Sequence, residues 1–526
     1  MAELDLRSPD VTDGWVTPPV AGHDWRRTER ELADVWRAQG DRFQSVIEPL
    51  AARAVSYADE LAHVKRFGER WRADRAFREA LAGDPRGVAE RYGLRADAEA
   101  VRCLWDGEFA ASRDPGWEAP LAVQRHRLFG REKLLHREKL RSVECVPADA
   151  RWRAWRARQI NRTLGHLGPR GHDGIIHAPF AIELSDGCSV GCWFCGVSAG
   201  RKRADFLYTP EHAGLWRDVL GVLRDLAGPG AAATGFCYWA TDPLDNPDYE
   251  RFCVDVAEIC GRFPQTTTAQ AQRDVERTRR LLRLSIEHGC TINRFSVLTL
   301  RAFDTLMGAF SAEELLHCEI VSQNPEAVHV PSNAGRALGS PRLGRLAREH
   351  GVDPAEFSRV PGTIACVSGF LLNMVRRTVR LITPCPSDAT WPDGYWTYEE
   401  ARFEDASGLR AVLEGMVARH MRATLRAGDA GRFRRDLRYE PAVDGFRLHG
   451  YGAVTTVTGG GALRALGDAL AAGHRTVGEI AVALEDALDR PAATTMATLN
   501  RLFDDGVLDE APAVRSARGP GEESSG

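Results

Sequence analysis

Three cysteines lie within eight residues of one another, at Cys188, Cys192 and Cys195. Glycines stand directly before, within and directly after this run. A glycine-rich loop lets the backbone pass close to inorganic sulfide and turn where a Cβ would clash. Three thiolates on such a loop can hold three irons of a four-iron cluster and leave the fourth iron open to a small ligand. The spacing therefore predicts one [4Fe–4S] cluster held by these cysteines.

Two other interpretations of the three cysteine thiols fit the sequence less well. A structural zinc ion takes four ligands in a closed tetrahedron, and no fourth Cys or His follows the run at finger-like spacing. A disulfide would leave one thiol over, and nothing else in the chain indicates an oxidising compartment. The cluster stays the favoured interpretation, with zinc as its alternative.

The composition is that of a globular protein with several domains. The chain has 526 residues, is 44% hydrophobic and 27% charged, and carries a formal net charge of −4. A length of this order predicts two to four domains. A slightly negative net charge does not indicate a nucleic-acid partner. No apolar run is long enough to cross a membrane. We expect a cytoplasmic protein whose twelve cysteines stay reduced.

From about residue 177 onward, strand-like and helix-like periodicities alternate. The predicted strands are Pro179–Leu184, Gly235–Trp239, Gln265–Ala269, Ile292–Leu298 and His317–Ser322. Amphipathic helices are predicted between them, and this rhythm is typical of parallel strands covered by helices. In the third strand, we expect Thr266, Thr268 and Gln270 to point inward.

The cysteine loop, with Phe194 before its last cysteine, resembles the signature of the radical S-adenosylmethionine (AdoMet) superfamily. The resemblance implies an α/β fold, with a partial (βα)6 barrel over 176–432 and the active site at the C-terminal ends of its strands. It implies AdoMet as a cofactor beside the cluster. A long amphipathic helix at 397–432 is expected to close the side of the barrel.

The same resemblance implies the AdoMet contacts. Superfamily members carry a Gly-Gly-Glu-Pro-like stretch after the second strand, and Ala240, Thr241 and Asp242 stand there in this chain. Asp242 could replace the glutamate as acceptor for the AdoMet ammonium. Arg294 and Ser296 share one face of the fourth strand, where one of them could reach the ribose or carboxylate. Ordinary polar filling of a barrel interior is the alternative for both.

Four stretches together indicate a more specific family within this superfamily. They are CSVGCWFC, YWATDPLDNPDY, IACVSGFLLNMV and ITPCPSD followed by WPDGYW. Over about 55–425 the chain looks like the proteusin-type radical AdoMet peptide epimerases, which convert L-residues of ribosomal precursor peptides into D-residues. This implies removal of Hα by a 5′-deoxyadenosyl radical and return of hydrogen from a thiol. Cys385, held between two prolines at a strand end, is the expected donor, and Cys366 is the second choice. The implied partners are a leader-bearing precursor peptide and an electron donor such as flavodoxin or ferredoxin.

The flanking regions add smaller units. We expect a flexible arm at 1–30 and a disordered tail at 513–526. The region 31–175 is predicted to be helical; it is either a plain helical domain or a relative of the Nif11-like leader fold. The region 444–512 has three helix patterns followed by the start of a wing, and resembles winged helix–turn–helix modules, including the peptide-recognition elements of ribosomal-peptide maturases.

Two other functions stay open. A radical AdoMet crosslinking maturase, forming thioether or carbon–carbon bonds, would share everything up to the hydrogen donor. Many such relatives carry a cysteine-rich C-terminal extension, and no cysteine follows Cys385 here. A DNA-binding regulator would rest on the winged helix alone, and the helix Ala493–Phe503 offers only Arg501 as a cation for phosphate contact. We therefore expect neither nucleic acid nor membrane as a partner.

Overall fold

The structure is a computed structural model that describes residues 45–47, 56–114, 116–290, 292–360, 362–488 and 491–512. The predicted arm at 1–30 and the predicted tail at 513–526 lie outside these described residues. Within them, no helix combines the length and the apolarity that a membrane crossing requires.

The first described part of the chain is built from helices. They are α1 Ala58–Ala73, α2 Arg75–Leu81, α3 Pro85–Arg91, α4 Gly107–Ala111, α5 Leu121–Lys139 and α6 Ala150–Asp173. The starts of α2, α3, α4 and α6 are fixed by Asp74, Asp84, Asp106 and Asp149, because each carboxylate accepts a hydrogen bond from the amide three residues on. Short aspartate side chains thus set where these helices begin.

The central part is mixed α/β, as the sequence predicts. Its strands are β1 Ala178–Glu183, β2 Ser185–Asp186, β3 Ala204–Asp205, β4 Thr267–Thr268, β5 Asn293–Val297, β6 Cys318–Ser322, β7 Val367–Asn373, β8 Thr378–Pro384 and β9 Tyr395–Arg402. Its helices are α7 Pro210–Ala227, α8 Pro229–Ala232, α9 Tyr249–Cys260, α10 Val275–Glu287, α11 Leu300–Ala309, α12 Pro341–Glu349, α13 Pro354–Phe357 and α14 Ala406–His420.

The strands form two main sheets instead of one regular (βα)6 series. One sheet has the order β1-β7-β8-β9, with β1 and β7 parallel and the remaining pairs antiparallel. The other has the order β4-β5-β6 and is parallel throughout. The segment predicted as the second strand makes one parallel bridge, Ala181 to Phe236. Gly235 lies directly against the Phe180 ring, where a Cβ would have no room.

The predicted helix at 397–432 is wrong. Its first part is strand β9, and the helix α14 is shorter. The rings of Trp396 and Tyr398, two residues apart, lie on the side of α6, where Tyr398 contacts Trp155. Asp405 then begins α14 by accepting a hydrogen bond from the Gly408 amide at 2.8 Å.

The main core lies outside the β1-β7-β8-β9 sheet, between it and the helices. Phe180 and Ile182 of β1 and Phe370 of β7 are almost completely buried, and they pack with Trp152 of α6 and Trp216 of α7. The opposite face of the sheet carries a second apolar cluster, in which Ala181, Leu371 and Ile382 pack with Phe236.

The C-terminal unit is a small sheet packed on three helices. Its elements are β10 Ala430–Gly431, β11 Arg438–Ala442, β12 Gly445–His449, β13 Val454–Thr458, α15 Gly461–Ala472, β14 Arg475–Thr476, α16 Val477–Leu488 and α17 Ala492–Asp504. The predicted boundary at 444 falls in the turn between β11 and β12, so the unit begins near residue 430. Up to residue 512, where the described chain ends, the expected wing at Gly506 forms no hairpin, and Leu508 pairs with Phe433 instead.

Buried charges join this unit to helix α6. The Arg158 side chain is fully buried and its Nε lies 2.6 Å from Glu510 Oε2. Arg434 Nη1 donates to Arg162 O of α6 at 3.5 Å, and His166 Nε2 of α6 lies 3.1 Å from Asp436 Oδ1. A buried ion pair is costly to break, because the remaining charge has no water to replace its partner.

We predict that Glu510→Gln lowers the free energy of unfolding by about 3 kcal/mol, because Arg158 keeps its charge in a buried site. The control is Asp225→Asn, which removes an exposed partner of Arg410 and should cost less than about 1 kcal/mol. Thermal unfolding followed by circular dichroism compares the two. Equal midpoints for both variants would contradict the assignment of Glu510 as a buried partner.

Candidate functional site

The three cysteines lie on a loop that is closed at its base. The loop follows β1, and its two arms pair through β2 with β3 and through a bridge between Cys188 and Arg201. Cys188 N donates to Gly200 O at 2.9 Å. Gly187 has φ +82°, and a Cβ there would stand 2.2 Å from Arg201 O. The closure therefore requires glycine at this position.

One side of the loop is held by Asp245. Its Oδ2 accepts from Ser189 N at 2.8 Å, and its Oδ1 accepts from Gln270 Nε2 at 2.8 Å. Lys202 Nζ donates to the Asp245 backbone oxygen at 2.7 Å. These bonds fix the loop over the C-terminal end of β4.

The other side is held by the segment around Gly335. Arg336 Nη1 donates to Cys192 O at 2.9 Å and Arg336 N donates to Cys195 O at 3.0 Å. Gly335 N donates to Pro392 O at 2.7 Å, and a Cβ on Gly335 would stand 2.2 Å from Cys195 O. Gly335 thus touches both the cysteine loop and the loop between β8 and β9.

The three thiols share one half-buried space. Burial and the neighbouring thiols of Cys195 and Cys188 raise the pKa of Cys192 to about 11. Burial also raises the pKa of Cys188, and Asp242 and Asp245 act in the same direction. Like charges shift each other's pKa only at close range. A positively charged metal centre at this loop would offset these shifts and favour the thiolates of Cys188 and Cys192.

In the part of the chain that the structure describes, the three cysteine sulfurs do not all lie within 4.8 Å of one another. Thiolates at about 2.3 Å from one zinc lie within about 4 Å of one another. Among the described residues, the group whose possible ligand atoms all lie within 4.8 Å of one another is Asp59, His63 and Glu313, not the cysteines. Phe194 is buried against Ala337 and provides an apolar wall. The donors, their spacing and this wall suit an iron–sulfur cluster.

The expected AdoMet stretch lies beside these thiols. The Asp242 carboxylate accepts from Leu244 N at 3.0 Å, from Thr268 Oγ1 at 2.7 Å and from Ala269 N at 2.7 Å. Burial raises the pKa of Asp242 to about 6. A carboxylate has about four acceptor positions, so Asp242 keeps about one for a ligand. Its main contacts hold the turn against β4.

The residues before Asp242 are fixed in the same way. Thr241 is buried, and Ala240 N donates to Glu183 Oε1 at 2.9 Å. Glu183 at the end of β1 also accepts from Asn373 Nδ2 at 2.9 Å, and burial raises the pKa of its carboxyl. This buried glutamate was not singled out by the sequence, although its place at the end of the first strand marks it.

Alternation in β4, β5 and β6 defines an interior between the two sheets. In β5 the outward Phe295 and Val297 are buried, whereas Arg294 and Ser296 are half-exposed and share the inward face, as predicted. The prediction that Thr266, Thr268 and Gln270 point inward in the third strand is wrong, because the inward positions are shifted by one residue. Thr266 points outward, and its Oγ1 lies 3.0 Å from Tyr249 Oη in α9. The half-exposed inward positions there are Gln265, Thr267 and Ala269.

A cavity of about 90 Å³ occupies the floor of this interior, at the N-terminal ends of the strands. Tyr238, Arg294, Glu319 and Cys366 are among its lining residues. Glu319 accepts from Arg294 Nε at 2.9 Å and from Arg137 Nη2 at 2.9 Å. Burial alone would raise the pKa of Glu319, but the guanidinium groups of Arg137 and Arg294 hold it well below its usual range. The two arginines and one glutamate make the floor cationic.

Sequence reasoning missed Glu319 and Arg137. Glu319 could have been found from the strand alternation after Cys318. Arg137 belongs to α5, far away in the sequence, and no local pattern links it to the strands.

The two candidate donor cysteines occupy different environments. Cys366 is partly buried and lines the floor cavity, and burial raises the pKa of its thiol to about 12. Cys385 is 2% exposed and lies outside the lining of that cavity. Its amide donates to Gly394 O at 2.9 Å, and Arg162 Nη2 donates to Pro384 O at 2.7 Å. Burial raises the pKa of the Cys385 thiol too.

Comparison with known proteins establishes the family. The chain is 38% identical over 458 residues to the uncharacterized protein y4wI of Sinorhizobium fredii (strain NBRC 101917 / NGR234), covering 86% of this chain and 87% of that protein. The family model of the protein y4wI C-terminal domain matches residues 431–506, which is the C-terminal unit described above. The chain belongs to the y4wI family.

One solved structure was also matched, the crystal structure of BtrN in complex with AdoMet and 2-DOIA. The match has 18% sequence identity and a TM-score of 0.24, and it covers 38% of this chain and 71% of that chain. A likeness at this TM-score does not establish a shared fold.

We predict that alanine at Cys188, Cys192 or Cys195 abolishes iron–sulfur absorbance after anaerobic reconstitution, because three-thiolate ligation leaves no spare ligand. Cys290→Ala is the control, since that cysteine is buried outside the loop and should leave iron and sulfide content unchanged. Iron analysis and visible spectra give the readout. A triple alanine variant that still binds four irons would refute the cluster assignment.

Proposed function

We propose that the protein is a radical AdoMet enzyme that epimerises residues of a ribosomally made peptide. The supporting observation is that the cysteine loop lies at one end of the interior and the Cys366 thiol at the other. Ala178 N donates to Cys366 O at 2.8 Å, so Cys366 lies level with the start of β1, whereas the loop follows the end of β1. The length of β1 puts about 17 Å between these levels.

This separation suits a reaction that needs two hydrogen-transfer groups on opposite faces of one carbon. A [4Fe–4S] cluster with AdoMet, when bound, supplies one electron that cleaves AdoMet to methionine and a 5′-deoxyadenosyl radical able to remove Hα. The protein must place the peptide residue below the adenosyl group and exclude water. We assign Phe194 to the cluster wall, and Ala240, Thr241, Asp242 and Ser296 to AdoMet.

Epimerisation then requires hydrogen from the opposite side. A thiol in the floor donates a hydrogen atom to the planar Cα radical, and the sulfur regains one electron from the external donor and one proton from water. Cys366 meets this requirement because it lines the floor cavity. Cys385 remains the competing donor from the sequence, and its burial beside Arg162 argues against direct access. Arg294 is hydrogen-bonded to Glu319 in the floor. Arg294 therefore lies nearer to the donor thiol than to the cluster loop.

A crosslinking maturase is the competing reaction class. It would use the same loop and the same AdoMet contacts, and it would need no thiol in the floor. The position of Cys366 in the cavity favours epimerisation.

The C-terminal unit offers a site for the leader of such a peptide. Strand β13 is at the edge of the order β11-β12-β13. It reads Val-Thr-Thr-Val-Thr, without charge or proline, and Val454 is 55% exposed. Exposed edge strands normally carry charges, prolines or bulges that block pairing. An extended leader adding as a further strand would gain main-chain hydrogen bonds there.

We predict that wild-type enzyme in deuterium oxide places one solvent deuterium on each inverted Cα, because the thiol hydrogen exchanges with water. Cys366→Ala should cleave AdoMet and yield no D-residue. Peptide hydrolysis with chiral analysis and mass spectrometry measures both effects.

Cys385→Ala is the matched variant and should retain epimerisation. If the two variants behave in the opposite way, Cys385 is the donor. If neither matters and the product is two hydrogens lighter, the enzyme is a crosslinker and epimerisation is excluded.

We predict that proline at two neighbouring positions of β13 affects binding of the precursor's leader differently. Adjacent residues of a strand direct their N–H groups to opposite sides, so one of Thr455→Pro and Thr456→Pro removes an edge donor and the other a donor to β12. The edge variant should weaken precursor binding at least about tenfold, with little change in melting temperature. Calorimetry measures the affinity for the precursor, and thermal unfolding shows which variant has lost a bond to β12. Unchanged affinity for the precursor in both variants would place the leader elsewhere.

A further inference from the structure

Arginines are concentrated around the outer face of the cysteine loop, although the whole chain has a net charge of −4. The segment 335–349, which ends with α12, contains four arginines and one carboxylate, Glu349. The return arm of the loop adds Arg201 and Arg203. This local charge is opposite in sign to that of the protein.

Helix α12 lies directly on the loop. The Arg342 guanidinium stands 4.5 Å from the centre of the Trp193 ring, and Leu343 packs in the apolar cluster that contains Phe194. Trp193 is half-buried and directly follows Cys192. With its apolar side on the loop, α12 turns Arg345 and Arg348 to solvent.

These cations are not neutralised by neighbours. We call Arg201, Arg203, Arg342, Arg345 and Arg348 the arginine face; all five are exposed. In the part of the chain that the structure describes, none of them has a carboxylate partner within 4.0 Å.

Some exposed arginines elsewhere are paired with carboxylates, whereas others, such as Arg280 and Arg283, have none within 4.0 Å among the described residues. Arg217 lies beside Asp255 and Arg419 beside Glu399. The arginine face therefore carries an uncompensated positive charge, which raises the local concentration of anionic partners.

We propose that the arginine face docks an acidic one-electron redox protein of the flavodoxin or ferredoxin kind. The proposal rests on the proposed function, which needs a reduced cluster in the loop. One electron passes from the reduced partner to the oxidised cluster, so the partner loses the electron that the cluster gains, and no proton is transferred. Complementary charge speeds such encounters and fixes their orientation.

The site favours a redox protein over a nucleic acid. One of these cations, Arg342, stands over the ring of Trp193, the residue that follows Cys192 in the loop. Helix α12 is nine residues, about 13 Å long, which matches a compact contact around one point. A nucleic-acid surface would need cations along a longer track.

The experiment measures binding rather than turnover. Flavodoxin is titrated into the cluster-loaded enzyme by biolayer interferometry at low and at high salt. Arg345→Glu with Arg348→Glu should weaken binding at least about tenfold and remove most of its salt dependence. The matched control is Arg280→Glu with Arg283→Glu, which reverses two exposed arginines, also three residues apart, on α10. It should bind as the wild type does.

Flavodoxin affinity that is equal in the α12 double variant and the wild type would overturn the proposal. So would an equal loss of affinity for a DNA duplex or a polyglutamate peptide used as probes, because the face would then bind any polyanion. AdoMet cleavage driven by dithionite is measured in parallel on the wild type, since dithionite needs no docking site. Its absence would count against the proposed function, whereas the binding titration decides the docking proposal by itself.

Discussion

The placement of three cysteine thiols in one half-buried space is the constraint on which the rest of the site depends. Burial raises the pKa of the Cys188 and Cys192 thiols, and the neighbouring thiols raise that of Cys192 further, so a positive centre beside them would favour their thiolates. The loop resists opening because it is closed at Gly187 and bonded on opposite sides to Asp245 and Arg336. A rigid loop keeps the sulfurs ready for the metal centre and avoids the entropy cost of ordering them on binding.

The two sheets then act as a spacer. Outward positions of β5 bury apolar side chains against helices, and inward positions stay polar and half-exposed. This division lets one short strand stabilise the fold and line a site at the same time. The interior consequently runs from the cysteine loop to a floor with Arg294, Glu319 and Cys366. In the proposed reaction, that depth keeps two reactive groups from meeting each other directly.

The sequence revealed what depends on local pattern. Cysteine spacing marked the loop, and period-two alternation placed Arg294 and Ser296 on one face. The prediction of the inward face of the third strand failed because Thr266, Thr267 and Thr268 are identical, so no apolar alternation shows which residues point inward. The helix at 397–432 was misjudged because aromatic residues of a partly buried strand and a following amphipathic helix resemble one apolar series. Arg137 reaches the floor from a distant helix, which only tertiary structure reveals.

Gly335 has a consequence for the evolution and engineering of this family. Its Cα faces the backbone of Cys195, and its amide bonds to Pro392 in the turn between β8 and β9. Three segments distant in sequence thus meet at a residue with no side chain, and none can change its path alone. Loop exchange between relatives should succeed when the three segments are moved as one cassette. Swapping the cysteine loop alone would bring together backbones that were shaped for different neighbours.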